Sequence, residues 1–231
     1  MCLEKSYVRR CVDPSERSSF RQQLSLQLRS MKAIVAVLIL SVVLCGCASA
    51  VSERVATNYT RVGAAAERRG DWDTARRAFA RATLNADQAG LPPASRAIAH
   101  YEYGRSLGVT CFFDESEREL TAAYEFDKQA GQPLFLSLIE LARLNLDQKK
   151  FSQSAAYFER AMPFLDGANV ADKAPVAYSD ILNEYARALA GAGRSAEAKP
   201  LTDRATALRD AALNKRSITD RTPYGKFCSK S

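Results

Sequence analysis

The sequence predicts an all-α protein. Three features carry this. Alanine, leucine, arginine and glutamate, all good helix formers, dominate a chain of 231 residues in which glycine and proline number only 11 and 8. Alternating Val/Ile/Thr runs are missing from residue 51 onward, which leaves little from which to build a sheet. Apolar residues recur three and four apart between breaks at Gly, Pro and polar clusters, and this places helices in four pairs. The pairs are about 52–69 with 71–87, 94–109 with 113–129, 134–148 with 151–165, and 173–191 with 195–213. Residues 88–93 and 167–174 read as loops, and 214–231 as an irregular tail.

The composition is that of an ordinary globular chain, 47% apolar and 26% charged. The net charge of +7 is unevenly placed. Residues 1–46 hold 7 Lys/Arg against 3 Asp/Glu, so the rest carries a net of +3 on a mixed-charge surface. Nucleic acid wants a concentrated basic face with base-reading groups, and nothing here supplies one.

From Met31 the chain reads MKAIVAVLILSVVLCGCASA. Lys32 precedes an apolar run, Ala33 to Leu44, of a length that suits a signal-peptide core and falls short of a ~20-residue membrane span. The run ends Leu44-Cys45-Gly46-Cys47. This resembles the lipobox of bacterial lipoproteins, with Gly46 as the small residue before the cut and Cys47 as the acceptor; Cys45 in the variable slot is unusual. The resemblance implies diacylglycerol on the Cys47 sulfur, cleavage before it, and an acyl chain such as palmitate on the new amino terminus. Several chains give durable anchoring, since each buried methylene contributes about 0.8 kcal/mol. Ala48 after the cysteine implies the outer membrane, facing the periplasm. The alternative is a plain secretory signal cut after Ala48 or Ala50. Residues 1–30, with five arginines, are either an over-extended start before Met31 or a long removed region. Both readings leave 1–46 out of the mature protein, with 47–51 as a short linker and 52–213 as the folded domain.

Within that domain GDWDTARRAFARAT, 70–83, resembles the second half of a tetratricopeptide repeat. The family pattern is a small residue in the first helix, a turn, an aromatic, then small, large and small residues along the second helix. In the first pair these are Gly63, Trp72, Ala75, Phe79 and Ala82. The second offers Gly104, Phe113, Leu120 and Ala123, with Ser116 in the first small slot; the third offers Ala142, Phe151, Ser154, Phe158 and Ala161. The fourth keeps Ala186, Ala198 and Ala205, but has Ser195 for the aromatic and Thr202 for the large residue. The repeats start 41, 38 and 44 residues apart, against ~34 for the basic unit. One pair cannot bury its own apolar face, so several must stack. The resemblance implies a right-handed solenoid of about four helix pairs.

A second motif lies on the first helices. EYGR at 102–105, ELAR at 140–143 and EYAR at 184–187 each place Glu and Arg around the small contact residue. Glu and Arg three apart share one stripe and can pair. In the resembled family that side lines the concave groove, so Arg105, Arg143 and Arg187 form a ladder there. Tyr101, Ile139 and Asn183 lie one turn earlier. The first pair departs from the motif, with Arg61 and Ala64 at the matching places. Such a ladder can hold carboxylates or carbonyls of a partner peptide over an apolar floor. The alternative is three solvated ion pairs worth a few tenths of a kcal/mol each.

Two cysteines remain beyond the lipid site. Cys111 sits in the turn of the second pair and Cys228 in the tail. Leu213 to Cys228 can reach at most ~50 Å, and two stacked helix pairs span about 40 Å. A disulfide, suited to an oxidising compartment, is therefore feasible and would pin the tail back across the repeats; two separate thiols are the alternative. No catalytic constellation, metal spacing or cofactor loop appears. His100 reads as a satisfied helix-face residue, and Glu115-Ser116 as the acidic start of a helix. The expectation is a lipid-tethered, non-catalytic scaffold for other envelope proteins, in pilus, secretion or cell-wall assembly. The alternative is an accessory that binds or processes peptidoglycan through the groove.

Overall fold

The computed structural model describes residues 50–212 and 221–228. The extension 1–30, the leader 31–46 and Cys47 lie outside the described residues. Residues 49–231 form one compact unit, and among the described residues every regular element is helical. Helix α1 spans 50–68. It is followed by α2 (Trp72–Gln88), α3 (Pro93–Val109), α4 (Phe113–Ala130), α5 (Phe135–Asp147), α6 (Phe151–Gly167), α7 (Val170–Lys173), α8 (Pro175–Gly191) and α9 (Ser195–Asp210). The pairs are α1/α2, α3/α4, α5/α6 and α8/α9. The single-turn α7 falls where the sequence reads as a loop. No helix among the described residues is long and apolar enough to cross a membrane.

The four pairs share one register. A Cβ on Gly63 would lie 2.6 Å from the Phe79 ring, and one on Gly104 would lie 2.8 Å from Leu120. The two helices therefore touch only because the first offers no side chain at the crossing. Ala142 and Phe158 occupy the same positions in the third pair, both with no exposed surface. Ser116 and Ser154 stand in the small slot and are also fully buried. Each donates its hydroxyl to the carbonyl of the small residue opposite, Gly104 at 2.7 Å and Ala142 at 2.8 Å. A buried hydroxyl needs such a partner.

Each intra-pair turn also repeats. Gly70, Cys111, Lys149 and Gly193, one per pair, have φ of 73, 72, 61 and 80°. The next N–H in each case bonds back over the helix end: Asp71 to Ala66, Phe112 to Leu107, Lys150 to Asn145 and Arg194 to Leu189, at 2.8–3.0 Å. This is a left-handed helix cap, which favours glycine. Cys111 and Lys149 adopt it at a cost of about 1–2 kcal/mol each.

The decay of the pattern in the fourth pair has a physical reason. Among the described residues helix α9 ends the stack, with Ala198 and Ala205 buried but Ser195 and Thr202 exposed. A terminal helix in a solenoid needs a polar outer face.

Candidate functional site

The first helices α1, α3, α5 and α8 contribute to a common face, and the Glu and Arg of the first two Glu–apolar–small–Arg motifs lie on it. Arg105 Nη1 donates to Glu102 at 2.7 Å, Nη2 to Glu67 of α1 at 2.8 Å, and Nε to the Thr222 hydroxyl at 2.9 Å. Arg143 Nη1 donates to Glu140 at 2.9 Å, and Nε to Glu184 of α8 at 2.7 Å. The other Glu184 oxygen accepts from Arg221 Nε at 2.6 Å. Arg221 also forks onto both oxygens of Asp147 at 2.8 Å. The Tyr224 hydroxyl donates to Glu140 at 2.8 Å. Tyr224, Glu140, Arg143, Glu184, Arg221 and Asp147 thus form one unbroken polar chain.

This chain is largely out of water. The side chains of Glu140, Glu184 and Arg143 are 5, 8 and 11% exposed. Burial pushes the Glu140 carboxyl up, but Arg143 and Arg105 together hold it below its ordinary value. At Glu102 burial wins over Arg105 and the carboxyl is raised. Buried pairs of this kind gain little net stability, because desolvation offsets the attraction, yet removing one member leaves an uncompensated charge.

The tail enters this network as a strap. From Arg221 beside α5 and α8 it crosses to α3, where the Gly225 and Phe227 amides donate to the Gly108 and Val109 carbonyls at 3.1 Å. Cys228 is bonded to Cys111, with Cα atoms 5.2 Å apart and a sequence separation of 117. Tyr224, 3% exposed, packs in a cluster with Trp72, Val109, Leu120, Leu141 and Leu144. A Cβ on Gly108 would lie 2.5 Å from the Tyr224 ring. Glycine inside a helix costs about 1 kcal/mol relative to alanine; here it opens the slot that the phenol fills.

Beside the strap lies a cavity of about 580 Å³. One part of its lining is polar, with Glu67, Glu102, Arg105, Glu140, Arg143 and the strap's Thr222; the other is apolar, with Phe135, Leu136, Ile139, Val170, Ala177 and Ile181. Tyr101, Arg105, Ile139 and Arg143, four of the six residues read from sequence as a partner face, line it. Asn183 and Arg187 are not among the lining residues. Glu184 turns to Arg143 and Arg221 instead of pairing along its own helix, and α8 meets the cavity through Ala177 and Ile181, earlier in the helix. Arg187 is exposed and makes no ion pair among the described residues. The sequence reading missed Glu67, Asp147, Arg221, Thr222 and Tyr224. Gly108 was the available signal, since the repeat register does not require it.

His100 lies elsewhere on α3, buried, with Nδ1 2.6 Å from Glu119 and Nε2 3.4 Å from Asp87. Burial opposes its charged form, but the two carboxylates prevail and its pKa is raised.

No family model matches the chain, and no curated protein does. Solved structures do. BtubC (BKLC) from P. vanneervenii aligns with a TM-score of 0.64 at 17% identity, over 72% of this chain and 67% of that one. A substituted form of a Podosopora anserina putative kinesin light chain with nearly identical TPR-like repeats aligns at 0.57 and 16%, over 69% and 77%. A second structure of that kinesin light chain aligns at 0.54 over the same shares. The fold is a tetratricopeptide-like right-handed solenoid.

Proposed function

We propose that this chain is a non-catalytic interaction scaffold, held by lipid on Cys47 at the outer membrane facing the periplasm, whose cavity takes a segment of another envelope protein. The observation that carries the reading is the make-up of the cavity. Glu67 and Glu102 are both held by Arg105 and Glu140 by Arg143, so the polar part is occupied by its own ion pairs, with Lys173 as a further cation on the wall, while the apolar part is open to a side chain or helix edge. That combination favours docking over chemistry. The LCGC sequence supports the tether, and service to pilus, secretion or cell-wall assembly follows the lipoprotein resemblance.

A photo-crosslinking residue at Leu136, half exposed in the apolar wall, tests the docking in cells. It captures one defined envelope protein, an Ala177→Asp variant abolishes the capture, and the same probe at exposed Leu84 of α2 captures none. Equal capture from both positions, or retention of muropeptides in place of a protein, contradicts the reading. Mass spectrometry of the mature chain finds acyl groups on Cys47; a bare thiol there removes the tether.

A further inference from the structure

Residues 221–228 lie against α3, α5 and α8 as a bound peptide would. Their hold includes one forked arginine on Asp147 and Glu184, the Thr222 hydroxyl accepting from Arg105, one buried phenol on Glu140, two backbone hydrogen bonds to the end of α3, and one covalent link. We propose that this strap is a displaceable occupant. Reduction of Cys111–Cys228 releases it, and the trough beneath then takes an extended segment that carries arginine and tyrosine three residues apart.

The trough's chemistry follows from what the strap covers. Without Arg221, Asp147 loses its only ion-pair partner among the described residues, and Glu184 keeps only Arg143. Two carboxylates are then left to a guanidinium, which reads such a pair by its fork geometry. Without Tyr224, the slot over Gly108 stands open between Val109, Leu120, Leu141 and Leu144, with Glu140 at its polar side as acceptor for a hydroxyl. Arginine and tyrosine are among the side chains that most often anchor interfaces.

The latch is reachable, because Cys228 is exposed while Cys111 is half-buried. A thiolate of a dithiol reductant attacks the Cys228 sulfur and expels Cys111 as thiolate, which takes up a proton. The reductant's second thiolate then breaks the mixed disulfide. Two electrons and two protons pass to the cysteines, and the reductant leaves as a disulfide. The strap's Thr222 also walls the cavity, so release lengthens the same groove. The inference rests on the cavity as a docking site, but it concerns the strap end alone.

The test uses the full chain and a fluorescent synthetic peptide of residues 220–228 with Cys228→Ser. Anisotropy shows saturable binding to the reduced protein and none to the oxidised protein. A Cys111→Ser, Tyr224→Ala protein, whose own strap has lost latch and anchor, binds more tightly than reduced wild type. Peptides with Arg221→Ala or Tyr224→Ala lose binding. Absence of binding to reduced wild type that keeps its helical circular dichroism overturns the proposal, as does binding that ignores the redox state or the two anchors. Hydrogen exchange gives an independent reading: the Gly225 and Phe227 amides lose protection on reduction, and unchanged protection overturns release. Capture at Leu136 is a separate readout, so failure of one claim is distinguishable from failure of the other.

Discussion

Helices α5 and α8 carry nearly the same words, ELAR and EYAR, and use them in opposite ways. In α5 the Glu140–Arg143 pair forms along the helix and Arg143 then reaches into the next repeat for Glu184. In α8 the glutamate is drawn away by Arg143 and Arg221, and Arg187 faces water. In the second repeat Arg105 also pairs along its own helix with Glu102 and across repeats, but in the other direction, back to Glu67 of the first. The lesson is that in a solenoid a side chain's partner comes from its neighbouring unit. The last motif among the described residues has a neighbour on one side alone: Arg143 of the preceding repeat takes one oxygen of Glu184, and the strap's Arg221 takes the other.

The largest effect falls on the buried arginine. Arg143→Ala leaves the buried Glu140 without its ion-pair partner and Glu184 with Arg221 alone, and denaturant unfolding shows a loss of about 3–5 kcal/mol. Next comes the covalent link. Reduction, or Cys228→Ser, lowers stability by about 2–5 kcal/mol, since the bridge closes a long loop, and the melting temperature falls accordingly. Tyr224→Phe keeps the ring in its slot and removes only the hydroxyl on Glu140. It costs about 1–3 kcal/mol, the penalty for a buried acceptor losing a donor.

A smaller effect comes from the polar cluster at His100, away from the strap. Its pKa is raised in the folded state from the ordinary 6.5. Its stabilising contribution is therefore fully present below pH 6.5 and is lost as pH rises through the folded value. A stability–pH profile shows this decline, and His100→Gln flattens it while leaving the strap's protection unchanged. The smallest effect is at Arg187. Arg187→Ala changes stability by less than about 0.5 kcal/mol, as an exposed surface change should.

Much of this architecture was legible in the sequence, because it is local. The small–large register of Gly63 with Phe79 and Gly104 with Leu120 repeats at fixed separation, and the left-handed turn falls seven residues after each small residue. Helix limits agree to within a few residues. The partners of the arginines were not legible. Glu67, Glu184, Asp147 and Thr222 reach them only through the offset between stacked pairs and the path of the tail, and neither leaves a periodic trace. The repeat words therefore suggested an even ladder, Arg105–Arg143–Arg187, whereas only the first two line the cavity. One trace of the strap did exist. Gly108 is a second glycine in α3 with no role in the hairpin crossing, and Thr-Pro-Tyr-Gly shortly before Cys228 is a turn sequence carrying an anchor-sized side chain.

The most direct measurement is a pair of double-mutant cycles on unfolding free energy, one between Arg143 and Glu184, the other between Arg187 and the same glutamate. Coupling through a neighbouring repeat predicts about 1–3 kcal/mol for the first cycle and a value indistinguishable from zero for the second. Equal couplings in the two cycles, or a larger one within α8, would contradict it.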